Sequence, residues 1–474
     1  MKDVRLVGLD FGTTTSRCVA ATARLSRNAV TGRHELSDVR EIFRSPVVLT
    51  PFEDDGLDER RLVEYLDAWL EVTRNAPGAE GEEIFGGGAL LTGLAAQQAN
   101  SPALIELIRA RVKNVLVASA GDPSLEAWLA FQANAGSLSR AQPDRWFINL
   151  DIGGGTTNIA AGKSGEVART GSLFIGARHI EVVPGTFQIV KLSPYARALL
   201  DYLGISSHPG ECLVPAQVSA ILDWQLDLIE RALAGERAAF QEPVARLHEQ
   251  VAFLPPRDFG EPIYCLSGGV GELVYEIQKS NQLPPTTQFG DLGTELARRI
   301  ATSPRWAARL AEASRPHAGR ATVYGLLLYA TQVSGSTVYL PDANLLPLRD
   351  IPIFGRVTRD STAEQIRDVL QLVGRSSIGG CVLVELGQGD GSAVKSVGER
   401  IASVISKLNM TAQCPLILVV RENVGKALGG YVSQWGTAAI KLIVLDEIAP
   451  LDARFVQVGS LRDQVVPISF YGMN

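Results

Sequence analysis

The chain has 474 residues, and at about 100 to 200 residues per domain this length predicts two to four domains. Hydrophobic residues make up 46% and charged residues 20%, which indicates a globular protein, and the net charge of −6 provides no basic field for nucleic acid. The five cysteines form no CxxC pair, which argues against a disulfide framework and against zinc or iron–sulfur sites, so we expect a reducing cytoplasm. The apolar stretches are shorter than the roughly 20 residues of a membrane span, and we expect no membrane anchor.

The first predicted element is a β-hairpin near the start of the chain. Residues 5–10 have the pattern of a strand, a turn follows, and a second apolar run covers residues 18–21. Glycine in such a turn allows close approach of a ligand, and threonine adds hydroxyl donors. The turn contains Gly12, Thr13, Thr14 and Thr15. A single glycine-rich turn between strands is more often structural than functional.

The same arrangement returns 141 residues later along the chain. Residues 146–151 form the predicted strand, and the turn after it contains Gly153, Gly154, Gly155 and Thr156. A third glycine cluster, residues 267–271, lies between a predicted strand and a predicted helix. Two matching hairpins separated by the length of a domain indicate two related halves.

Strands and helices alternate through the remaining sequence, which is typical of α/β proteins. The spacing of apolar residues predicts helices over 124–135, 215–233 and 321–331, and Gly325 in the last suits close packing on another helix. The run Gly86-Gly87-Gly88 precedes a strand that lacks an aspartate, and we predict a flexible loop there.

The character of the sequence changes after Ser334. Short apolar runs at 382–384, 415–420 and 442–445 each precede a helical or strand-rich stretch. Alternation of this kind predicts a separate small α/β domain at the end of the chain.

Together the two hairpins carry the groups that a nucleoside triphosphate requires. Backbone N–H groups and hydroxyls of the turns can bind phosphate oxygens, and carboxylates can hold Mg²⁺ through its water shell. Asp10 and Asp151 stand at the ends of the two matching strands, so we expect them to face each other across a cleft. The matched pair, followed by Ser267-Gly268-Gly269, is far more specific than either turn alone.

These three elements resemble those of the actin, Hsp70 and sugar-kinase superfamily, whose members are two-lobed clamps that close on ATP. The resemblance implies an α/β fold with duplicated ribonuclease-H-like lobes, lobe I over 1–145 and lobe II over 146–338, and an additional C-terminal α/β domain over 339–474. The helix after Val117 and the helix from Ala321 would then connect the lobes.

The resemblance also implies roles for the residues of the turns. ATP would contact Gly12, Thr13, Thr14, Thr15, Gly153, Gly154, Gly155, Thr156, Ser267, Gly268 and Gly269. Asp10 and Asp151 would share Mg²⁺ and take part in catalysis, and either Glu126 or Asp122 would orient the attacking water.

Further segments are similar to the reactivating factors of ethanolamine ammonia-lyase. They are residues 40–42, 45–47, 50–51, 117–121, 151–156, 266–272, 333–338, 425–429 and 465–467. This similarity runs through nearly the whole chain, the C-terminal domain included, and is weakest over residues 185–260.

What this second resemblance implies is an ATP-dependent molecular chaperone and weak ATPase, distinct from a metabolic enzyme. With ATP and Mg²⁺ it would bind inactivated ethanolamine ammonia-lyase and let the damaged cobalamin leave, so that intact adenosylcobalamin can enter. The expected location is the cytoplasm, with association with a bacterial microcompartment as an open expectation. A homo-oligomer is a second expectation that the sequence leaves open.

Two other classes of the same superfamily stay open, a small-molecule kinase and a filament-forming actin-like ATPase. Gly425-Lys426 does not form a P-loop, because Val420 and Ala427 stand where that motif requires Gly and Ser or Thr. The five histidines have no ligand spacing, and we expect them to be solvated and not catalytic.

Overall fold

The computed structural model describes residues 2–12, 15–28, 32–53, 56–77, 83–92, 95, 98–112, 114–119, 123–280, 282–310, 320–387, 391–408, 410 and 414–473. Three large sheets follow one another along the chain, each with helices packed against it. Elements are numbered here in chain order.

Lobe I is built on the first large sheet. Its strands are β1 (Lys2–Phe11), β2 (Thr15–Arg27), β3 (His34–Arg44), β4 (Val48–Leu49), β5 (Phe52–Glu53), β6 (Gly56–Leu57), β7 (Ile84–Leu91) and β8 (Leu116–Ser119). Its helices are α1 (Glu59–Asn75), α2 (Ser101–Arg111), α3 (Pro123–Asn134) and α4 (Gly136–Ala141). The sheet order is β3-β2-β1-β7-β8, with β1, β2 and β3 antiparallel and β1, β7 and β8 parallel. The predicted first hairpin, β1 with β2, is confirmed.

The prediction of a flexible loop at Gly86-Gly87-Gly88 is wrong, because these glycines lie inside the buried strand β7. A Cβ atom on Gly87 would stand 1.9 Å from the carbonyl oxygen of Val7, and one on Gly88 would stand 2.5 Å from Leu326 Cδ2. The glycines are present because β7 is pressed between β1 and a helix, where side chains have no room. The glycine content alone suggested a flexible loop. The structure shows that three consecutive glycines stand here because the strand is closely packed.

Lobe II repeats the arrangement with a second sheet. Its strands are β9 (Phe147–Ile152), β10 (Thr157–Lys163), β11 (Glu166–Leu173), β12 (Ile180–Val182), β13 (Ile189–Leu192), β14 (Glu249–Val251) and β15 (Ile263–Ser267). Its helices are α5 (Pro194–Tyr202), α6 (Pro215–Leu233), α7 (Pro243–His248), α8 (Gly268–Ser280), α9 (Gly293–Thr302) and α10 (Pro304–Ala307). The sheet order is β14-β11-β10-β9-β15, in which β9 and β15 are parallel and the other pairs are antiparallel.

The two lobes share a core of four strands with the same order and directions. In each, a first strand is flanked on one side by an antiparallel second and third strand and on the other by a parallel strand. This duplication is the two-lobed, ribonuclease-H-like α/β architecture that the resemblance implied. The second predicted hairpin, β9 with β10, and the strand-to-helix step from β15 to α8 are confirmed.

The C-terminal domain contains the third sheet. Its strands are β16 (Gln332–Val333), β17 (Leu348–Thr358), β18 (Gly380–Glu385), β19 (Pro415–Val420), β20 (Lys441–Leu445), β21 (Ala453–Val458) and β22 (Pro467–Met473), and its helices are α12 (Ala363–Arg375), α13 (Gly391–Leu408) and α14 (Gly425–Val432). The order is β16-β22-β21-β17-β18-β19-β20, with β17 to β20 parallel. The apolar runs of β18, β19 and β20 are buried because alternate side chains pack against helices α12 to α14 on one face and with side chains of β21 and β22 on the other.

The sequence indicated the strands β18, β19 and β20 but not the long strand β17, whose alternation of partly buried positions is weak. Strand β16 also belongs to this sheet, although it precedes residue 339. The boundaries given above for the three domains therefore remain a proposal.

Two helices lie between the lobes and pack on each other, α3 and α11 (Ala321–Tyr329). A Cβ atom on Gly325 of α11 would stand 2.5 Å from the carbonyl oxygen of Leu129 in α3. Only a residue without a side chain fits at this distance, which confirms the predicted close packing at Gly325. Within the part of the chain that the structure describes, no helix combines the length and apolar character needed to span a membrane.

Candidate active site

A cleft of about 520 Å³ opens between the two lobes. Both glycine turns border it, together with the starts of α8 and α11. The predicted site residues that line it are Asp10, Gly12, Thr15, Glu126, Asp151, Gly153, Gly154, Gly155, Thr156, Gly268 and Gly269. The fold thus brings together residues that are up to 259 positions apart in the sequence.

Three predicted residues cannot be placed. Thr13, Thr14 and Asp122 lie outside the described residues. The choice between Glu126 and Asp122 as the residue that orients water therefore stays open. Glu126 lies in the first turn of α3, is 9% exposed and borders the cleft.

The two turns are closed by equivalent backbone hydrogen bonds. The N–H of Gly12 donates to the carbonyl of Thr15 at 3.0 Å, and the N–H of Gly153 donates to the carbonyl of Thr156 at 2.9 Å. Each turn follows directly on a strand that carries an aspartate, so Asp10 and Asp151 occupy equivalent positions. The duplication predicted from the sequence extends to individual hydrogen bonds.

Side chains from elsewhere in each lobe brace the turns. Thr50 Oγ1 donates to the carbonyl of Gly12 at 2.7 Å. In lobe II, His179 Nε2 donates to the carbonyl of Gly155 at 2.8 Å, while its Nδ1 is 2.9 Å from Ser193 Oγ. A carbonyl oxygen can only accept, so this contact requires the proton on Nε2. Burial lowers the pKa of His179 to about 4, which keeps the ring neutral.

The expectation that the histidines are solvated is wrong for His179 and His248, which are both buried. Their rings pack around Tyr195 in lobe II. Sequence spacing could not reveal this, because the contacts join residues that are distant along the chain.

Asp151 is held by hydrogen bonds from two other segments. Ser267 Oγ donates to Oδ1 at 2.8 Å, and Thr322 Oγ1 donates to Oδ2 at 3.1 Å. Ser267 is itself bonded to Asn149 at 2.9 Å and is fully buried behind the cleft, so it positions Asp151 and does not border the cavity. Burial raises the pKa of Asp151, and the two hydrogen bonds act against this rise.

Asp10 differs from Asp151 in its partners. Its Oδ1 atom is shielded from solvent and has no hydrogen-bond partner among the described residues. Burial is the largest influence on the pKa of Asp10, which is raised to about 7. The charge of Arg17 and a hydrogen bond with Thr92 lower this pKa, whereas the charge of Asp151 raises it further. A shielded oxygen without a hydrogen-bond partner and a raised pKa both indicate a carboxylate whose burial outweighs the attraction of nearby Arg17.

This donor set fits Mg²⁺. Two carboxylates with oxygen atoms directed at one cleft suit a hard cation that keeps several waters and completes its shell with phosphate oxygens. Among the described residues there is no group of three or more His, Cys, Asp or Glu that could hold a metal alone. The residues thus fit a hydrated ion that binds together with a nucleotide, and do not form a preformed metal cage.

The start of α8 closes the lobe II side of the cleft. Gly268 has φ +77, and a Cβ atom there would stand 2.5 Å from the carbonyl of Ile152 and 2.9 Å from Asp151 Oδ1. Beyond it, Leu273 and the 55% exposed Phe289 give the cleft an apolar wall. An apolar wall beside a glycine-lined turn suits a nucleoside next to its phosphates.

Several cleft residues were not found from the sequence. They are Arg17, Thr92, Asp291, Arg320 and Thr322. Arg17 lies in the predicted hairpin, close to the turn in sequence, and the strand pairing places it directly opposite Asp10. The others reach the cleft only through packing of distant segments.

Comparison with known proteins gives one family over almost the entire chain. Residues 2–472 match the family model described as Ethanolamine utilisation protein EutA. Proteins named Ethanolamine ammonia-lyase reactivase EutA from Salmonella typhimurium and from Escherichia coli are each 28% identical over 98% of this chain and 97% of their own length. A solved Ppx/GppA family member from Aquifex aeolicus is 15% identical, covers 60% of this chain and 71% of its own, and has a TM-score of 0.34, a value too low to support an argument.

Proposed function

The chain belongs to the family of ethanolamine utilisation protein EutA, and we propose that it is a reactivase of ethanolamine ammonia-lyase that uses ATP in the cleft between its lobes. The names of the two relatives support the reactivase function, since both are similar to this chain over nearly their whole length. The observation that carries the ATP site is the pair of equivalent turns that direct Asp10 and Asp151 into one cleft.

The residues of the cleft suggest how a nucleotide would be held. Backbone N–H groups of the glycine turns and the hydroxyls of Thr15 and Thr156 can donate to phosphate oxygens. Asp10 and Asp151 would hold Mg²⁺, which when bound neutralises phosphate charge. Glu126 faces the same space and is proposed to orient the attacking water, a role that Asp122 could also fill.

The position of the cleft suggests how ATP would act on a partner. Phosphates bound to both turns would join lobe I to lobe II, and α3 and α11 lie between the lobes, where a change in their relative position would be felt. A ligand shifts such an equilibrium by its difference in affinity for the two states. Nucleotide binding and hydrolysis would thus change the affinity of the chain for the inactivated lyase.

In this proposal the chain acts as a chaperone and performs no chemistry on the substrate of the lyase. Closure would weaken the hold of the lyase on damaged cobalamin, so that intact adenosylcobalamin can rebind. Association with a bacterial microcompartment and assembly into a homo-oligomer stay predictions.

Reactivation of the lyase tests the proposal directly. Ethanolamine ammonia-lyase inactivated during turnover should regain activity only when the chain, ATP, Mg²⁺ and fresh adenosylcobalamin are all present. ATP turnover stimulated by a sugar or an acid, without rescue of the lyase, would instead identify a kinase of the same fold. Nucleotide-dependent filaments seen by electron microscopy, again without rescue, would identify a cytoskeletal ATPase.

Variants of the two aspartates test the site. Asp10→Asn and Asp151→Asn should each reduce Mg²⁺-dependent ATP hydrolysis by about 100-fold or more, because each removes a carboxylate that would hold Mg²⁺ beside the phosphates. Phosphate release measures turnover, and circular dichroism verifies the fold. Asp223→Asn, an exposed carboxylate on α6, serves as the matched control and should be unchanged. Normal turnover in either cleft variant would show that the cleft is misassigned.

A further inference from the structure

Two arginines border the cleft beside the carboxylates and have no role in the function proposed so far. Arg17 lies on β2, and Arg320 directly precedes α11. Both are half-buried. A guanidinium group presents a planar set of N–H donors that matches phosphate oxygens in two-point contacts. The cleft therefore offers cationic donors in addition to its backbone and hydroxyl groups.

Arg17 faces the cleft because of strand register. It is paired with Asp10 across β1 and β2, and directly opposed residues of an antiparallel pair project from the same face of a sheet. Its neighbours Ser16 and Cys18 are fully buried, as expected for the opposite face. The Nε of Arg17 donates to Thr15 Oγ1 at 3.2 Å, so the guanidinium lies beside another residue of the cleft.

The matching position in lobe II has no charge. Asn158 is the residue opposite Asp151, it is buried, and its Oδ1 accepts a hydrogen bond from Ser172 at 2.7 Å. The duplicated hairpins are alike in their turns and aspartates but differ at this position. Of the two hairpins, the one in lobe I brings a cation to the cleft.

Arg320 is fixed beside Arg17 by the segment that follows β3. Its Nη1 and Nη2 each donate to the carbonyl of Ser45 at 3.2 Å. Ser45 is bonded to the backbone of Cys18, the residue next to Arg17, through Cys18 N to Ser45 Oγ at 2.9 Å. In the part of the chain that the structure describes, Arg320 forms no ion pair, whereas nearby Arg44 is paired with Glu41 at 2.8 Å.

The two guanidinium groups repel each other in this arrangement. Burial and then the charges of Arg17 and Arg44 lower the pKa of Arg320, while Glu272 of α8 acts in the opposite direction. Like charges held close together in a partly desolvated cleft are unfavourable, and the carboxylates of Asp10 and Asp151 offset part of the charge of Arg17. A bound phosphate would turn this repulsion into attraction for both arginines.

The layout of the cleft indicates which phosphate they meet. The apolar wall of Leu273 and Phe289 belongs to lobe II, whereas Arg17 lies on lobe I next to Asp10. A nucleotide with its base against that wall would extend its phosphates past the turns toward lobe I. The terminal phosphate would then be the group nearest to Arg17.

We propose that Arg17 and Arg320 together bind the terminal phosphate of the nucleotide and make the cleft prefer a nucleoside triphosphate to a diphosphate. This inference rests on the proposed nucleotide site and adds to it a means of distinguishing ATP from ADP. Loss of the terminal phosphate after hydrolysis would remove the anion that both arginines contact.

Direct binding measurements test the inference without reference to activity. Calorimetry with Mg²⁺ should give the affinities of the full-length chain for ADP and for a non-hydrolysable ATP analogue. Arg17→Gln and Arg320→Gln should each weaken binding of the analogue by about 10- to 100-fold, as for loss of a charge-assisted hydrogen bond, and should change ADP affinity less than about threefold. Arg17→Lys keeps the positive charge but loses the planar pair of guanidinium donors. Its affinity for the analogue should therefore lie between those of wild type and Arg17→Gln.

Arg24→Gln is the matched control, because Arg24 lies on the same strand with its charge paired outside the cleft to Asp38 at 2.8 Å. Equal loss of affinity for both nucleotides would overturn the assignment to the terminal phosphate, and unchanged affinity for both would overturn any phosphate contact. A wild-type chain that binds neither nucleotide would overturn the proposed ATP site and this inference with it. If the arginine variants lose affinity for the analogue but not for ADP, the inference is supported. This holds even if the chain does not rescue the lyase, so the result is independent of the reactivase function.

Discussion

At the scale of single residues, the second turn of the cleft depends on a histidine that is neutral in the folded protein. His179 donates through Nε2 to the carbonyl of Gly155, and Ser193 stands 2.9 Å from its other nitrogen. Burial lowers its pKa from 6.5 to about 4, so the unfolded chain takes up a proton at a pH where the folded chain does not. The contribution to stability is complete above about pH 6.5 and is lost as the pH falls toward 4.

This difference predicts an acid-sensitive stability. From the shift in pKa, the free energy of unfolding should lose on the order of 3 kcal/mol between pH 6.5 and pH 4 through His179. The raised pKa of Asp10 acts with the opposite sign, because that group binds protons more readily in the folded state. Comparison of wild type with His179→Gln cancels the effect of Asp10, since both proteins retain it.

Urea unfolding of the two proteins at several pH values measures the effect. The stability of His179→Gln should depend less steeply on pH over this range than that of wild type. His208→Gln, which changes an exposed histidine, should behave as wild type. Parallel curves for wild type and His179→Gln would contradict the prediction.

At the scale of elements, the contact between α3 and α11 determines how the lobes are joined. Gly325 lies where α11 crosses α3, and a Cβ atom there would stand 2.5 Å from a backbone oxygen of Leu129. Backbone atoms in a packed helix cannot move aside as a flexible side chain can. The crossing therefore depends on the absence of a side chain at this position.

Gly325→Ala should destabilise the protein by about 1 to 3 kcal/mol through overpacking, although alanine is the better helix former. Gly374→Ala is the matched control, because Gly374 lies in α12 with no atom within 4 Å of an added Cβ. The control should be neutral or more stable by up to about 1 kcal/mol. Thermal unfolding followed by circular dichroism measures both, and equal midpoints for the two variants would show that the crossing tolerates a methyl group.

At the scale of the whole molecule, the C-terminal domain is attached to lobe I and to both helices between the lobes. Gln457 Nε2 donates to the carbonyl of Val115 at 2.9 Å, and Arg109 of α2 pairs with Asp350 of β17 at 2.9 Å. Tyr471 of β22 also contacts Asp350 through its hydroxyl. The apolar atoms of Tyr471 and Met473 pack on the cluster formed by α3 and α11. The C-terminal domain thus contacts lobe I and the helices that lie between the lobes.

Asp350→Asn should loosen that attachment. The substitution removes the charge paired with Arg109, and asparagine tolerates the left-handed backbone of this position, where φ is 54°. Because Asp350 is partly exposed, we expect a loss of only about 1 kcal/mol, visible as faster proteolysis between the lobes and the C-terminal domain. Asp360→Asn, at an exposed turn, should be cleaved at the wild-type rate. Equal rates of proteolysis for wild type, Asp350→Asn and Asp360→Asn would contradict the prediction. They would show that the apolar contacts of β22 are enough to hold the C-terminal domain in place.

The sequence by itself determined the elements whose signals are local. The two hairpins, the glycine turns with Asp10 and Asp151, the strands β18 to β20 and the helix α6 all follow from short-range periodicity and turn composition. Family resemblance added the order of the lobes. These features were accessible because each depends on residues within about 20 positions of one another.

The tertiary structure alone decided the features that depend on distant contacts. Arg320 and Thr322 enter the cleft from α11, Ser267 turns away from it to hold Asp151, and Gly86-Gly87-Gly88 forms a buried strand. The raised pKa values of the aspartates and the lowered pKa of His179 likewise arise from burial. Burial and long-range approach are properties of how lobes and helices pack, and a linear pattern of residue types does not contain them.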